Sequence, residues 1–263
     1  IYQMNQVRSV ARNAGARIAR SDVLVFLDSD DRYLPDGVEK HLLTLEDIKT
    51  GASIAGYQIV SPDGGRIFEH MPWLGGAGLG LEDWLRDCYS MPGAMFVRTD
   101  WFEKIGGFKS YYEIAEDWGF FLELALAGCR MQWTKALVCE YRVHSENSIH
   151  FIDRHLAGAT QVMQAVFDDE RLKPEYRALR GQTMAWLFVN FCRRYFWANN
   201  LEKMETNLKL AISYDPNLIS DRKLEMIELF MRPPEHMRAE NKNQRELFGK
   251  LQNLESVQIS AEE

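Results

Sequence analysis

The chain has 263 residues, 46% of them apolar and 26% charged, with 31 basic against 38 acidic side chains and a formal net charge of −7. That size and composition suit one large or two modest globular domains with a true hydrophobic core. The acidic balance argues against general binding to nucleic acid or to an anionic membrane, because both need an excess of Lys and Arg.

The four cysteines, Cys88, Cys129, Cys139 and Cys192, lack the close spacing of a zinc knuckle or a redox pair and sit in apolar segments. They read as small core residues in a reducing compartment. No apolar run approaches the roughly 18 to 20 residues that span a bilayer. The opening "IYQMNQVRSVARN" lacks a signal-peptide pattern, so a cytoplasmic location is expected. The chain begins with Ile1 and enters a helical pattern at once, as if continuing something upstream.

In chain order, Val7, Val10, Ala11, Ala14 and Ile18 mark one face of a helix over 5–19, at spacings of three and four. "VLVFL" at 23–27 is a short apolar run, as in a strand buried on both faces of a parallel sheet. Pro35 is placed to start a helix with a stripe of Val38, Leu42, Leu45 and Ile48, ended by Gly51. "ASIAGYQIV" and "GRIFEH" flank "SPDGG" and predict a hairpin. A short helix over 81–89, a strand over 93–98, a helix over 99–105, a helix from Glu116 to Gly128 and a strand over 131–144 follow. The texture is α/β.

Beyond residue 150 the strand patterns vanish. Helices are predicted at about 151–170, 174–199, 201–214 and 217–231. The stretch at 196–218 resembles a single tetratricopeptide-type helical hairpin, too little for a solenoid. The last thirty residues read as an exposed helix that frays into a disordered tail. The expected division is 1–150 and 151–263.

The chemistry starts at "VLVFLDSDDRYLPDG", where Asp28, Asp30 and Asp31 follow an apolar run. In extended chain, residues two apart project to the same side, so Asp28 and Asp30 can both reach one hard cation. Ligands of open α/β sheets bind outside the carboxyl ends of strands, where Asp28 sits. The alternative is a solvated Asx turn.

"ARNAGARIARSDVLVFLDSDDRYLPDGVEKHL" resembles glycosyltransferase family 2, in which an ARN-x-G helix precedes a strand ending in a D-x-D motif. "FVRTDWFEKIGGF", "EDWGFFLELALAG" and "YRVHSENS" are similar to later family segments, in the family's order, over residues 9 to 148. The resemblance implies a GT-A fold, a mixed sheet flanked by helices, with a C-terminal helical region that it does not cover. It implies transfer of a sugar from a nucleoside-diphosphate donor to an acceptor hydroxyl by an inverting single displacement. Mg²⁺ or Mn²⁺ would neutralise the departing diphosphate, with Asp30 as a metal ligand and Asp28 on the ribose or the metal. Asp31 would only trim the loop. Arg12 would contact the nucleotide, or be a solvated arginine. Asp117 would be the general base, or with Glu116 a helix-capping charge. Trp118, Phe120 and Phe121 would screen the site from water. Arg142 and His144 would close over the diphosphate or metal, unless His144 is a hydrogen-bonded structural group.

Three features complete the reading. "GGAGLG" (75–80) lacks the context of a phosphate loop and is expected to be a mobile loop over the acceptor cleft. The two strands that open family members, with their donor-base and ribose segments, are absent, so a long sheet edge is expected. An upstream segment, a homo-oligomer or a hetero-oligomer would complete the sheet. The rival functions are a non-catalytic GT-A-like module whose C-terminal helices bind a protein, and a nucleotidyltransferase, for which no Lys- and Gly-rich loop is visible.

Overall fold

The computed structural model describes residues 7–144, 147 and 150–232. The expected disordered tail lies outside those residues. In the first half of the chain, α1 (Arg8–Ile18), β1 (Val23–Val25), β2 (Arg32–Tyr33) and α2 (Gly37–Thr44) lead into the hairpin β3 (Ala52–Val60) and β4 (Arg66–His70). Then come α3 (Leu81–Arg86), β5 (Met95–Arg98), α4 (Thr99–Lys104), α5 (Glu116–Leu126) and β6 (Met131–Arg142). The helices α6 (Ile152–Asp168), α7 (Pro174–Arg177), α8 (Arg180–Trp197), α9 (Leu201–Tyr214) and α10 (Leu218–Met231) finish the described chain.

The strands form one mixed sheet in the order β1-β5-β3-β6-β2, with β4 beside the far half of β3. Only β3 and β6 run parallel; every other pair is antiparallel. The hairpin closes where Ser61 N–H donates to Gly65 O at 2.8 Å.

Three sequence expectations are corrected here. "VLVFL" is not buried on both faces: β1 is three residues long and, among the described residues, pairs only with β5. Val25 and Leu27 are each 43% exposed. The α1 stripe is also displaced. Ser9, Ala14 and Ala16 are its buried residues, whereas Ile18 is 65% exposed, because the other flank of α1 borders an open groove. On α2, Val38 and Leu42 are exposed, as is Ile48 beyond its end at Thr44, and the buried residues are Gly37 and His41, followed by Leu45.

The α2 inversion has a physical cause. His41 is fully buried, stacks on Phe96 with ring centroids 4.2 Å apart, and has Nδ1 2.7 Å from Ser53 Oγ. Ser53 in turn bonds Thr134, whose hydroxyl lies 2.6 Å from that of Thr44. This buried polar network, which engages Nδ1 of His41 and leaves its Nε2 without a hydrogen-bond partner among the described residues, replaces the apolar stripe. Burial lowers the His41 pKa to about 3, so the ring is neutral.

The predicted helix over 174–199 is broken between α7 and α8. The helices after 150 share one core with the sheet. A single buried cluster runs from Ala16 and Leu24 through Phe102, Phe120 and Phe121 to Val162, Phe188, Trp197 and Phe230. At its centre α6 lies directly on the loop before α5, where a Cβ on Gly158 would come within 2.5 Å of Ile114 O.

Candidate active site

The acidic loop leaves β1 and turns back at once, with Asp31 N–H donating to Asp28 O at 3.1 Å. Asp30 Oδ2 lies 2.9 Å from His144 Nε2, with each side chain about one third exposed. Asp31 points the other way and accepts the backbone N–H of Arg142 at 3.0 Å. Burial, followed by the charges of Asp30 and Asp28, pushes the Asp31 carboxyl up to about 7 despite that bond. The Arg142 guanidinium donates to Asp30 O at 3.2 Å, Ser61 O at 3.2 Å and Pro62 O at 2.8 Å. It therefore clamps the acidic loop to the hairpin turn.

The second acidic pair opens α5. Ala115 holds a left-handed φ of 64°, a conformation that costs a residue with a Cβ about 1 kcal/mol or more. This turn aims Glu116 and Asp117 towards α1. Glu116 is 2% exposed and accepts Arg12 Nη1 at 2.8 Å and Arg8 Nε at 3.2 Å. Asp117 is partly buried and accepts the Trp118 N–H at 2.8 Å. Burial first, then Glu116, raises the Asp117 pKa to about 6, opposed by Arg8, the Trp118 bond and Arg12. Tyr141 stands between the two ends: after burial, Asp31 and Asp117 do most to hold its phenol above its ordinary value.

Arg12 joins the two acidic motifs. Its side chain is 8% exposed, and Nη2 donates to Asp28 Oδ1 at 2.7 Å while Nη1 holds Glu116. The guanidinium carbon lies 5.3 Å from the centroid of the Phe108 ring. The next residue, Asn13, secures the same neighbour. Its amide donates to Phe108 O at 2.7 Å and accepts Phe108 N–H at 2.9 Å. Gly107, at φ 67°, has no room for a side chain there, because a Cβ would lie 2.6 Å from Asn13 Oδ1.

A groove of about 470 Å³ runs between α1 and the open edge of β1, from Ala19 to Arg8, Arg12, Asp28 and Ser29. Of the residues singled out in the sequence, the structure thus brings Asp30 to His144, and links Asp28 to the helix of Asp117 through Arg12. Asp28 itself turns to Arg12. Among the described residues no three His, Cys, Asp or Glu side chains converge as a ready-made metal cage.

Two expectations about the surroundings change. Trp118, Phe120 and Phe121 do not screen the site; they are core residues. Phe121 stacks on Trp84 at 4.4 Å, Phe120 stacks on Phe108 at 4.3 Å, and Trp118 Nε1 donates to Trp84 O at 2.7 Å. The segment 75–80 is tied down, with Trp133 Nε1 donating to Ala77 O at 2.8 Å and Asp83 accepting the N–H groups of Gly78 and Gly80. The bridging roles of Glu116 and Asn13 escaped the sequence reading. Both lie inside quoted motifs, Asn13 in ARN-x-G and Glu116 in the segment that starts with Glu-Asp, but nothing local shows the partners they reach.

Comparison with known proteins places the fold. Residues 3–106 match the profile described as glycosyl transferase family 2; this span includes Arg12, Asp28 and Asp30, and ends before Asp117. No curated protein sequence matches the chain. Among solved structures, S. aureus TarS 1–349 is similar with a TM-score of 0.51 at 12% identity, covering 92% of this chain and 71% of that one. TarS 1–349 in complex with UDP-GlcNAc gives 0.51 at 11% identity, covering 80% and 73%. The longer TarS structure gives 0.47 at 16% identity and covers 72% of this chain, which spans only 31% of it. Residues 3–106 thus resemble family 2 glycosyl transferases, and the chain has the GT-A fold, a mixed sheet flanked by helices with a helical C-terminal part.

Proposed function

We propose that the chain is a divalent-cation-dependent, inverting glycosyltransferase that moves a sugar from a nucleoside diphosphate to an acceptor hydroxyl. The observation that supports this most is the joining, by Arg12, of the acidic loop at Asp28 to Glu116, the neighbour of Asp117, whose carboxyl is the one raised. Asp30 and His144 already meet at 2.9 Å and offer an oxygen and a nitrogen ligand. A cation held there would take its remaining ligands from the donor and would neutralise charge on the departing diphosphate. Asp28 and the adjoining groove face the nucleoside, while Arg142 and Arg12 fix the loop around it. The division at about residue 150 separates this catalytic part from supporting helices. Four unpaired cysteines suit the reducing cytoplasm.

In this reading Asp117 accepts the proton of the acceptor hydroxyl. The freed oxygen forms its bond to the anomeric carbon on the face opposite the diphosphate, whose bond breaks, so configuration inverts. A base with a pKa near 6 is ionised at neutral pH yet basic enough to take a hydroxyl proton as it becomes acidic in the transition state. Turnover falls as the pH drops below about 6 and the base is protonated.

The test is a thermal-shift panel of UDP-, GDP-, dTDP- and CDP-sugars with and without Mn²⁺, UDP-GlcNAc first because the related TarS structure holds it. Stabilisation by one donor, dependent on cation, is expected; no shift with any donor would sink the proposal. Asp117→Asn should lose about 10²-fold or more in turnover and keep donor binding. Equal loss of both would make Asp117 structural.

A further inference from the structure

We propose that Arg12 is a positioning residue that couples the donor end of the cleft to the base, one guanidinium fixing Asp28 and the Glu116–Asp117 turn together. The inference rests on the reading of Asp117 as the base.

The geometry is that of a bridge with two loaded ends. Nη2 is 2.7 Å from Asp28 and Nη1 is 2.8 Å from Glu116, from a side chain that is almost wholly enclosed. Phe108 backs the guanidinium, and Asn13, the next residue on α1, fixes the Phe108 backbone in both directions. Arg12 therefore has little freedom to leave either carboxylate. A planar fork can hold two acids at once in a set orientation, which a single ammonium cannot do. Glu116 is too deeply buried to be left without a cation. Its partner Arg8 is 45% exposed at the side chain and leaves Arg12 as the enclosed half of the pair.

Among the described residues, the charges that act most on Asp117 are few. Arg8 and Arg12 come from α1, and Glu116 from α5 itself. The Cys88 thiol, beyond α3, and the Tyr141 phenol, on β6, are both held neutral by burial. His155 on α6, which feels Arg8, is also neutral. Removing Arg12 thus removes one of two cations that favour the ionised base.

The experiment follows the Asp117 carboxyl by carbon-13 NMR titration in the substrate-free protein, assigned with Asp117→Asn, beside the pH profile of kcat/KM. Arg12→Met should move the Asp117 titration, and the acid limb with it, upward by about half a unit or more. Arg12→Lys, which restores the charge, should return the limb to its wild-type position while kcat stays about tenfold or more below wild type. A folded Arg12→Met protein whose Asp117 titration does not move overturns the inference. So does an Arg12→Lys protein with wild-type kcat. If Arg12→Met does not fold, Arg12→Lys decides alone by those criteria. A wild-type protein that turns over no donor sinks the transferase reading, and the NMR titration of both variants still decides the coupling.

Discussion

Asp28, Asp30 and Asp31 stand on a loop beyond a three-residue edge strand, whereas Glu116 and Asp117 open a helix whose next residues are core. The loop is held from outside, by Arg142 on backbone carbonyls and by His144 on Asp30. The helix start is held from beneath, by aromatic packing that fixes Trp118, Phe120 and Phe121. One end can adjust to a ligand without disturbing the fold. The other cannot move unless the core moves. In the proposed function this suits a partly wet end that meets a bulky charged donor, and a stiff end that presents one carboxylate at a set distance.

Substitutions can break or sharpen that contrast. The largest effect on donor affinity belongs to Asp30→Ala, expected to remove cation-dependent binding with a loss of about tenfold or more. Its urea midpoint should stay within about 0.5 kcal/mol of wild type; a large loss of stability would show that the loop is not independent of the fold. Asn13→Ala should do the reverse, costing about 2–3 kcal/mol in urea denaturation, because it leaves two Phe108 backbone groups without their partner. A smaller effect is expected of Asp117→Asn. The folded-state pKa of Asp117, about 6, lies above the ordinary aspartate value, about 3.9. Its contribution to stability is therefore fully present below about pH 3.9 and is lost as pH rises through about 6. Asp117→Asn should be the more stable protein at pH 7, by on the order of 1 kcal/mol, and the advantage should vanish towards pH 4. Smallest is Ala115→Gly, which relieves the left-handed strain at the entry to α5 and should gain about 0.5–1 kcal/mol. A loss there would mean that the Ala115 methyl group, buried in the core, outweighs the strain.

Most of the element order and both acidic motifs were legible in the sequence, since each depends on local spacing; the two-residue strand β2 and the break between α7 and α8 were not. Legibility failed where partners come from far along the chain. His41 reads as a polar interruption of an apolar stripe until Ser53 and Thr134 are seen beside it. Val38, Leu42 and Ile48 fit helical periodicity, yet a buried histidine turned α2 over. At the site, Glu116 looked like a helix-start charge, and only its approach to Arg8 and Arg12 from α1 gives it a role. "VLVFL" has the texture of a central strand, but strand position is a property of the sheet, and no local pattern reports it.

The contact between Gly158 and Ile114 O has a consequence in time. A chain made from its amino end releases the acidic loop early and the α5 turn later. The loop needs its hairpin, β6 and His144, all complete by residue 144. The α5 turn cannot be sealed until α6 has been synthesised and seated on it, with α8 behind. A nascent chain that has just passed residue 150 therefore carries Asp28, Asp30 and Asp31 in place and Asp117, the base of the proposed reaction, still unset. Competence arrives as one late event, when the last helices close.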